Sequence, residues 1–291
     1  MELSILIPHK NSSSLLKRLL DSVDGLNSQI IVVDDNSTDD EMLKVSELQQ
    51  KYSFELYKNE GKYAGGARNT ALKHAIGNWI LFADCDDFYL PSLVALFNKY
   101  KDCDADIIYF SVESRYSDTL EPAYRDGHIK NISRRYLQSK NDWILRCCYT
   151  VPWGKMYKSS FVKKLNIQFD EVISGNDILF SIKTGVYAGK VLFEKQPIYC
   201  VTVSQNSITR IKDVAHFESR LQAYFRANEF LRSRGKNKFE ISVMGMLLAS
   251  MDFGFLYTLH VFKECLKHRS NLFVGMFDID RYINLFRYKN H

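Results

Sequence analysis

The sequence predicts an α/β protein in which a mainly parallel sheet is flanked by helices and followed by a helical C-terminal extension. Three observations support this fold class. Short apolar runs rich in β-branched residues alternate with segments of helical periodicity over roughly the first 110 residues. Two of these runs end in clustered acids, which places the acids at the carboxyl edge of the sheet, where open α/β folds bind ligands. Beyond Asp213, apolar residues recur mainly at helical spacing.

The first elements of the chain set this alternation. Each predicted strand is a short apolar run, and each predicted helix carries Leu, Val or Met at helical spacing. The Asn-Ser-Thr-Asp turn at 36–39 favours an N-cap before the second helix. In chain order, we predict a strand at 2–8, a helix at 15–23, a strand at 29–35, a helix at 42–52 and a strand at 54–58.

The middle of the chain begins with a glycine-punctuated stretch that we interpret as a loop opening a helix. The elements predicted next are a loop at 59–69, a helix at 70–77, a strand at 79–83, a helix at 93–100 and a strand at 106–112. The pattern then loosens. The later elements are a helix at 133–148, a loop and strand at 150–158, a turn at 174–177 before a helix at 178–187, and strands at 190–194 and 198–203.

The last part of the chain is predicted to be almost wholly helical, with one stripe formed by Phe217, Leu221, Tyr224, Asn228 and Leu231. Residues 241–262 are long and apolar enough to cross a bilayer, but Asp252 and His260 lie within them. We therefore predict a helix buried against the core or in a dimer interface rather than a membrane span. An interfacial helix lying on a membrane beside the basic residues of 263–269 stays open as an alternative.

Composition places the chain among soluble globular proteins. Of its 291 residues, 46% are apolar and 25% are charged, which excludes a mainly disordered chain. The net charge of +5 selects no partner class by itself. The six cysteines have neither zinc-ligand spacing nor the pattern of a disulfide framework, and the N-terminus lacks a signal-peptide pattern. We therefore expect reduced thiols in a cytoplasmic protein.

Acidic side chains follow two of the predicted strands. The residues are DD at 34–35 and DCDD at 84–87, and the glycine-rich GGARN stretch at 65–69 lies between them in sequence. The carboxyl ends of parallel strands meet at one edge, so these groups should gather there. Crowded carboxylates repel each other unless a hard cation neutralises them. The sequence therefore predicts a divalent metal site suited to a nucleotide diphosphate, although acids before such turns are also typical of helix N-caps.

Four motifs then resemble a known family: SILIP-x-x-N at 4–11, IVVDDNSTD at 31–39, GARN at 66–69 and ILFADCDD at 80–87. In order and spacing they resemble the signature blocks of the inverting family 2 glycosyltransferases of the GT-A fold, of the type that serves bacterial polysaccharides and capsules. Weaker matches are WGKMY at 153–157, GND at 175–177 and SITR at 207–210. The resemblance implies a GT-A catalytic domain at 1–211, divided into a nucleotide-binding half at 1–112 and an acceptor half at 113–211, and a separate helical region at 212–291.

The resemblance also implies roles for individual residues. Contact with the donor is implied for Pro8, Asn11, Asp35, Gly66, Arg68, Asp84, Cys85 and Asp86. Asp86, together with Asp84, would ligate Mn²⁺ or Mg²⁺ through the DXD motif. Asp177 would be the catalytic base, although taken alone it is typical of a helix N-cap. Trp153 and Asn176 would contact the acceptor, and Asn176 stands where family members usually carry Glu.

These roles imply an inverting hexosyltransferase that moves a sugar from a nucleotide-diphosphate sugar, with UDP-sugar as the expected donor, to a saccharide or lipid-linked saccharide acceptor. Asp177 would take the proton of the acceptor hydroxyl. We expect no nucleic-acid partner, and a cytoplasmic enzyme with peripheral contact at the inner membrane face or a homodimer through the C-terminal helices as alternatives. Two other functions stay open, a nucleotide-sugar-binding scaffold subunit with weak catalysis and a nucleotidyltransferase.

Overall fold

The computed structural model describes residues 1–203 and 213–272, and one eight-stranded sheet organises them. In chain order its strands are β1 (Leu3–His9), β2 (Gln29–Asp34), β3 (Glu55–Lys58), β4 (Trp79–Phe82), β5 (Phe88–Tyr89), β6 (Ile107–Tyr116), β7 (Lys155–Lys158) and β8 (Val191–Val203). Across the sheet their order is β3-β2-β1-β4-β7-β6-β8-β5. The apolar strand residues form the main core, and β1, β2 and β4 are buried along their whole length.

Helices cover the sheet and make up the C-terminal part. They are α1 (Ser13–Val23), α2 (Asp39–Lys51), α3 (Tyr63–His74), α4 (Ser92–Tyr100), α5 (Gly127–Ser139), α6 (Trp143–Cys148), α7 (Ser159–Leu165), α8 (Ile178–Tyr187), α9 (Val214–Ser233), α10 (Met244–Ala249) and α11 (Phe255–Lys267). Single 3₁₀ turns lie at Asn237–Phe239 and Ser250–Phe253. The predicted combination of an α/β sheet with C-terminal helices is confirmed.

The first four-strand block of the sheet is parallel, as the strand and helix alternation predicts. β1 pairs in parallel with both β2 and β4, and β2 pairs in parallel with β3. The sequence does not indicate that β7 inserts antiparallel between β4 and β6, or that β5 pairs antiparallel with β8. The carboxyl ends of β1, β2 and β4 therefore share one edge, which is where their loops can meet.

The glycine-rich stretch is helix rather than loop, which corrects the predicted loop at 59–69. Helix α3 begins at Tyr63, so Gly65 and Arg68 lie in its first two turns and are buried. The reason is packing. A Cβ atom on Gly65 would lie 2.1 Å from the carbonyl oxygen of Asp170, and one on Gly66 would lie 2.8 Å from the backbone of Gly61. The glycines therefore let the backbones of Asp170 and Gly61 approach the helix closely. They do not form a flexible turn.

Two further predicted elements differ from the structure. The helix predicted at 133–148 is two helices, α5 and α6, because Lys140 adopts a left-handed conformation with φ of 55° and caps the end of α5 through a bond from its N–H to the Tyr136 carbonyl. The two strands predicted at 190–203 are one strand, β8, which pairs with β6 on both sides of a bulge between Phe110 and Val112.

The C-terminal segment 241–262 is not the single buried helix that its composition predicts. Gly254, with φ of 101°, separates the helical turn Ser250–Phe253 from α11. Only part of the segment is buried, and its partners are the apolar residues of α9. Among the helices of the described ranges, none combines the length and apolar composition needed to cross a bilayer. The predicted domain boundary at 211 and 212 falls between the described ranges and stays a prediction.

Candidate active site

Three acids crowd the turn that follows β4. Asp84, Asp86 and Asp87 can each place one carboxylate oxygen so that all three atoms lie within 4.8 Å of one another. Asp87 is buried, whereas the other two are half-buried. Asp34 closes β2, which is separated from β4 by β1, and Asp35 follows it. Both are buried. The acids that follow β2 and β4 therefore lie at the same edge of the sheet, as the sequence predicts.

Asp87 is fixed to the structure through both carboxylate oxygens. Its Oδ2 accepts a hydrogen bond from the Tyr199 hydroxyl at 2.9 Å, and its Oδ1 accepts one from the Thr202 backbone N–H at 2.7 Å. The Tyr199 hydroxyl also accepts the Asp84 backbone N–H at 2.9 Å. Burial and the charges of Asp86 and Asp84 raise the pKa of Asp87 well above its usual value. Asp87 therefore anchors the acid turn to β8.

Asp86 is held by its backbone, which leaves its side chain available. Its carbonyl oxygen accepts hydrogen bonds from the Arg18 guanidinium and, at 2.7 Å, from the Thr202 hydroxyl. Arg18 also donates to the Ser117 carbonyl at 2.8 Å. Across the described ranges, the Asp86 carboxylate accepts no hydrogen bond from the side chain or backbone of another residue. Its pKa is raised by burial and by the Asp84 charge, a cost that a bound divalent cation would relieve, so the donor set fits Mn²⁺ or Mg²⁺.

Arg68 joins the acid turn to a second turn that carries Asp177. Its guanidinium donates to Asp84 Oδ1 at 2.5 Å and to Asn176 Oδ1 at 2.8 Å. Arg68 is only 5% exposed, and its guanidinium carbon lies 5.5 Å from the centre of the Phe169 ring. One buried cation thus connects Asp84, a candidate metal ligand, with Asn176, the residue next to the candidate base Asp177. Sequence reasoning identified Arg68 as a donor contact but did not indicate this bridge.

The residues around Arg68 place the Asp177 turn. Asn69 forms a reciprocal pair of hydrogen bonds with the Phe169 backbone, accepting from its N–H at 2.8 Å and donating to its carbonyl at 3.0 Å. Gly65 leaves room for the Asp170 carbonyl, as described above. These contacts dock residues 169–177 on α3. Sequence reasoning gave no role to Gly65 or Asn69, although the compact GGARN pattern was the available signal.

Asp177 occupies the N-cap position of α8, yet its side chain makes no capping hydrogen bond. Its carboxylate is therefore not committed to the role that is typical of an acid at this place. Burial raises the pKa of Asp177, the Arg68 guanidinium opposes that rise, and the Asp84 charge adds to it. A half-buried carboxylate with a raised pKa is a stronger base than an exposed aspartate, which suits it to accept a proton.

The loops after β1 and β2 are tied to each other. Asn11, with φ of 47°, accepts the Thr38 backbone N–H at 2.9 Å and donates its own N–H to the Ser37 hydroxyl at 2.8 Å. Asp35 accepts a hydrogen bond from Asn59 at 2.6 Å. These contacts order the loops at the sheet edge where the nucleoside contacts are predicted. Donor contacts from Asn11 and Asp35 stay predictions.

The other predicted donor contacts have different surroundings. Pro8 lies buried within β1, where it pairs with Val33 of β2. Gly66 packs against the Gly61 backbone. Burial and the charges of the neighbouring acids raise the pKa of the Cys85 thiol to about 12, so this thiol stays protonated at neutral pH. The predicted SITR match at 207–210 lies outside the described residues.

The two predicted acceptor residues are placed differently. Asn176 accepts from Arg68, whereas Trp153 is 7% exposed and stacks on Tyr199 with ring centres 5.6 Å apart. The described contact of Trp153 is therefore inside the protein, and an acceptor contact stays a prediction. Sequence reasoning missed Lys155, which is fully buried and donates to the Tyr149 carbonyl at 2.7 Å. Burial lowers the pKa of Lys155 well below its usual value, and the Asp177 charge opposes this.

Comparison with known proteins gives relatives of one kind. The chain is 27% identical over 224 residues to the glycosyltransferase GlyA of Streptococcus pneumoniae, covering 72% of this chain and 32% of GlyA. It is 26% identical over 203 residues to the poly(ribitol-phosphate) beta-N-acetylglucosaminyltransferase TarS of Staphylococcus aureus, covering 66% of this chain and 34% of TarS. The chain thus spans about a third of the length of these curated relatives.

Solved structures share the fold. The crystal structure of residues 1–349 of S. aureus TarS with UDP-GlcNAc superposes with a TM-score of 0.64 at 22% identity, covering 87% of this chain and 73% of that one. A mannosyltransferase from Pyrobaculum calidifontis with GDP-Man and Mn²⁺ gives a TM-score of 0.52 at 16% identity, with 98% and 87% covered. These neighbours confirm the GT-A fold. The model of the family described as "Glycosyl transferase family 2" matches residues 4–165, more than half of the chain, so the chain belongs to glycosyl transferase family 2.

Proposed function

We propose that the chain transfers a hexosyl group from a nucleotide-diphosphate sugar to a hydroxyl of a glycan acceptor, with inversion and with dependence on a divalent cation. The observation that carries this proposal is the Arg68 bridge. One buried guanidinium contacts Asp84 in the acid turn and Asn176 beside Asp177, which supports a candidate metal ligand and a candidate base in the same site. A single displacement needs one base and no carboxylate nucleophile, in keeping with this set of residues.

The residues have separable roles in the proposed reaction. Asp177 takes the proton from the acceptor hydroxyl as that oxygen bonds to the anomeric carbon, and the bond from this carbon to the diphosphate oxygen breaks. Asp86, with Asp84, would hold Mn²⁺ or Mg²⁺, and the ion would supply positive charge at the departing diphosphate. Arg68 holds Asp84 in place, and Asp87 keeps the turn attached to β8. Nucleoside diphosphate then leaves as the second product.

The relatives suggest the substrate class. TarS was crystallised with UDP-GlcNAc, and its name specifies a poly(ribitol-phosphate) acceptor. We therefore propose a UDP-sugar as donor and a saccharide or other glycan-type polymer, or a lipid-linked saccharide, as acceptor. The Pyrobaculum neighbour contains Mn²⁺, which supports this ion as the first to test.

The experiment combines binding with turnover. The thermal unfolding of the full chain is followed with a panel of UDP- and GDP-sugars, with and without MnCl₂, and a donor at a hundred times its Kd should stabilise by about 2.7 kcal/mol. Release of nucleoside diphosphate is measured in parallel. Asp86→Asn should remove the metal-dependent part of the shift and the turnover, whereas Asp102→Asn, at an exposed acid away from the turn, should change neither.

The alternatives give different results in the same experiment. A scaffold subunit would bind the donor without releasing nucleoside diphosphate on addition of any acceptor. A nucleotidyltransferase would release pyrophosphate when given a sugar phosphate and a nucleoside triphosphate. If no nucleotide sugar produces a metal-dependent shift in unfolding temperature, the proposed donor site is wrong.

A further inference from the structure

The C-terminal helices present a line of large apolar side chains to solvent. On α11 they are Phe255, Leu259, Phe262 and Leu266, and we name these four residues, together with Leu256, the apolar ridge. Phe255 is 75% exposed and Leu256 is 81% exposed, the two most exposed large apolar residues in the described ranges. Leu248 and Met251, on the preceding turns, are also exposed. A patch of this kind is uncommon on the surface of a soluble monomer and indicates an interaction site.

The ridge is not the face by which α11 packs on the protein. Val261 and Cys265 are buried in a small core with Phe217 and Phe225 of α9 and Val243, which precedes α10. The ridge residues follow one another at helical spacing along another side of the same helix. Helix α11 therefore has two apolar sides, one used inside the protein and one exposed. Packing within the described residues buries only the side that carries Val261 and Cys265.

Basic residues run along the ridge. Lys263 and Lys267 are exposed and stand on the same helical line as Leu256, about two and three turns further along the helix. Lys267 lies 3.4 Å from Glu264, the only carboxylate of α11, which stands next to the lysines on their side away from the ridge. The exposed surface of α11 thus combines an apolar ridge with an ammonium line.

We propose that this surface of α11 lies on an anionic lipid bilayer, with the apolar ridge inserted at the level of the headgroups and acyl chains. A helix with a wide apolar side flanked by lysines has the chemistry of an interfacial helix, because the lysine stems cover apolar surface while their ammonium groups reach lipid phosphates. A second copy of the chain would bring the same lysines to the contact and no carboxylate on the ridge side of α11. The charge of the surface therefore favours the lipid over the second copy. This inference does not depend on the proposed sugar transfer.

Vesicle flotation tests the inference with the full chain. Vesicles of phosphatidylcholine alone are compared with vesicles containing phosphatidylglycerol, at low and high salt. The full chain should float with the anionic vesicles and lose most of this binding at high salt. Lys263→Gln with Lys267→Gln should weaken binding by about fivefold for each lysine. Phe255→Ser with Leu256→Ser should weaken it by on the order of a hundredfold.

A matched control uses exposed apolar residues elsewhere. Leu43 and Ile76 are 67% and 64% exposed, and the pair Leu43→Ser with Ile76→Ser should leave vesicle binding unchanged. Because all four side chains are exposed, unfolding temperatures should agree between the ridge variant and the control, which separates lost binding from lost folding.

Three outcomes would overturn the proposal. The first is absence of binding to anionic vesicles, which would also follow if another part of the chain covers the ridge. The second is binding that the ridge variant retains in full. The third is a concentration-dependent dimer in light scattering that the ridge variant abolishes, which would assign the surface to a second copy. Nucleotide-sugar binding is measured on the same variants, so failure here is distinguishable from failure of the proposed transferase activity.

Discussion

The acid edge of the sheet and the C-terminal helices contrast in where they place polar and apolar groups. At the sheet edge, charged side chains are buried: Arg68 is 5% exposed and Asp87 is 2% exposed. On α11 the reverse holds, and Leu256 is 81% exposed. Each arrangement costs free energy relative to a protein with apolar residues inside and charges outside.

The contrast identifies two kinds of candidate site. Arg68 and Asp87 at the sheet edge are each held by specific partners, so this region points to a small ligand that needs fixed geometry. Exposed apolar residues on α11 share no such network and point to an extended, fluid or flat partner. A substitution at the sheet edge should therefore abolish most of the activity. A polar substitution of an exposed apolar residue on α11 should change the free energy of unfolding very little. Substitutions in the two regions test this division.

The largest expected effect comes from Asp177→Asn. The variant should lose between about 10²-fold and 10⁴-fold in kcat/KM for sugar transfer, because the acceptor hydroxyl loses its base. Donor binding should change little, since Asp177 is not among the candidate metal ligands. Isothermal titration with UDP and Mn²⁺, alongside a turnover assay, measures both quantities. A variant that keeps full turnover would remove Asp177 from the mechanism.

The pH profile of the parent enzyme adds a check on the same residue. The pKa of Asp177 is raised from its usual 3.8 by burial, so the carboxylate becomes protonated at a higher pH than an exposed aspartate would. Activity should therefore be present above that raised pKa and fall as the pH decreases through it. The acid limb of kcat/KM should lie above 3.8, and a limb at or below that value would contradict the assignment.

The next largest effect compares one glycine from each region. Gly65→Ala, within α3, places a Cβ atom 2.1 Å from the Asp170 carbonyl and should destabilise the protein by about 3 kcal/mol or more, since the clash is with backbone. The turn that carries Asp177 should shift as well, so turnover falls. Urea unfolding and the turnover assay measure the two effects.

Gly245→Ala, within α10, is the matched control. Apart from its chain neighbours and the backbone of its own helix, no atom of the described residues lies within 4 Å of the position that its Cβ would take. This variant should be neutral or more stable by about 0.4–1 kcal/mol, because alanine restricts the unfolded chain and favours helix. Equal effects at both glycines would refute the assignment of the Gly65→Ala loss to the clash with the Asp170 carbonyl.

The sequence predicts much of this contrast. Three features could not be predicted from it, each for a physical reason: the insertion of β7, the start of α3 and the exposure of residues 241–262. Strand and helix alternation predicted the parallel block, and the motif order predicted the family and the acid cluster. The antiparallel insertion of β7 depends on long-range pairing that short-range patterns do not encode. The glycine-rich sequence at the start of α3 is typical of a loop. The close approach of the Asp170 carbonyl explains why glycine stands in this helix. Single-sequence hydropathy made residues 241–262 look buried, but it cannot tell an exposed apolar side of a helix from a buried one.

The smallest expected effect concerns Asp213, which holds the same N-cap position on α9 that Asp177 holds on α8. Asp213 does cap its helix, accepting the His216 backbone N–H at 2.8 Å, whereas the Asp177 side chain makes no capping bond. Asp213→Ala should therefore lower the free energy of unfolding at neutral pH and leave turnover unchanged. The pKa of Asp213 is lowered by its bonds to His216, so this stability is present above 3.8 and is lost as the pH falls through the lower folded-state pKa. Urea unfolding at neutral and acidic pH should show the difference from the parent protein shrinking with acidification. A turnover loss in Asp213→Ala as large as in Asp177→Asn would mean that helix capping, not proton transfer, explains both residues.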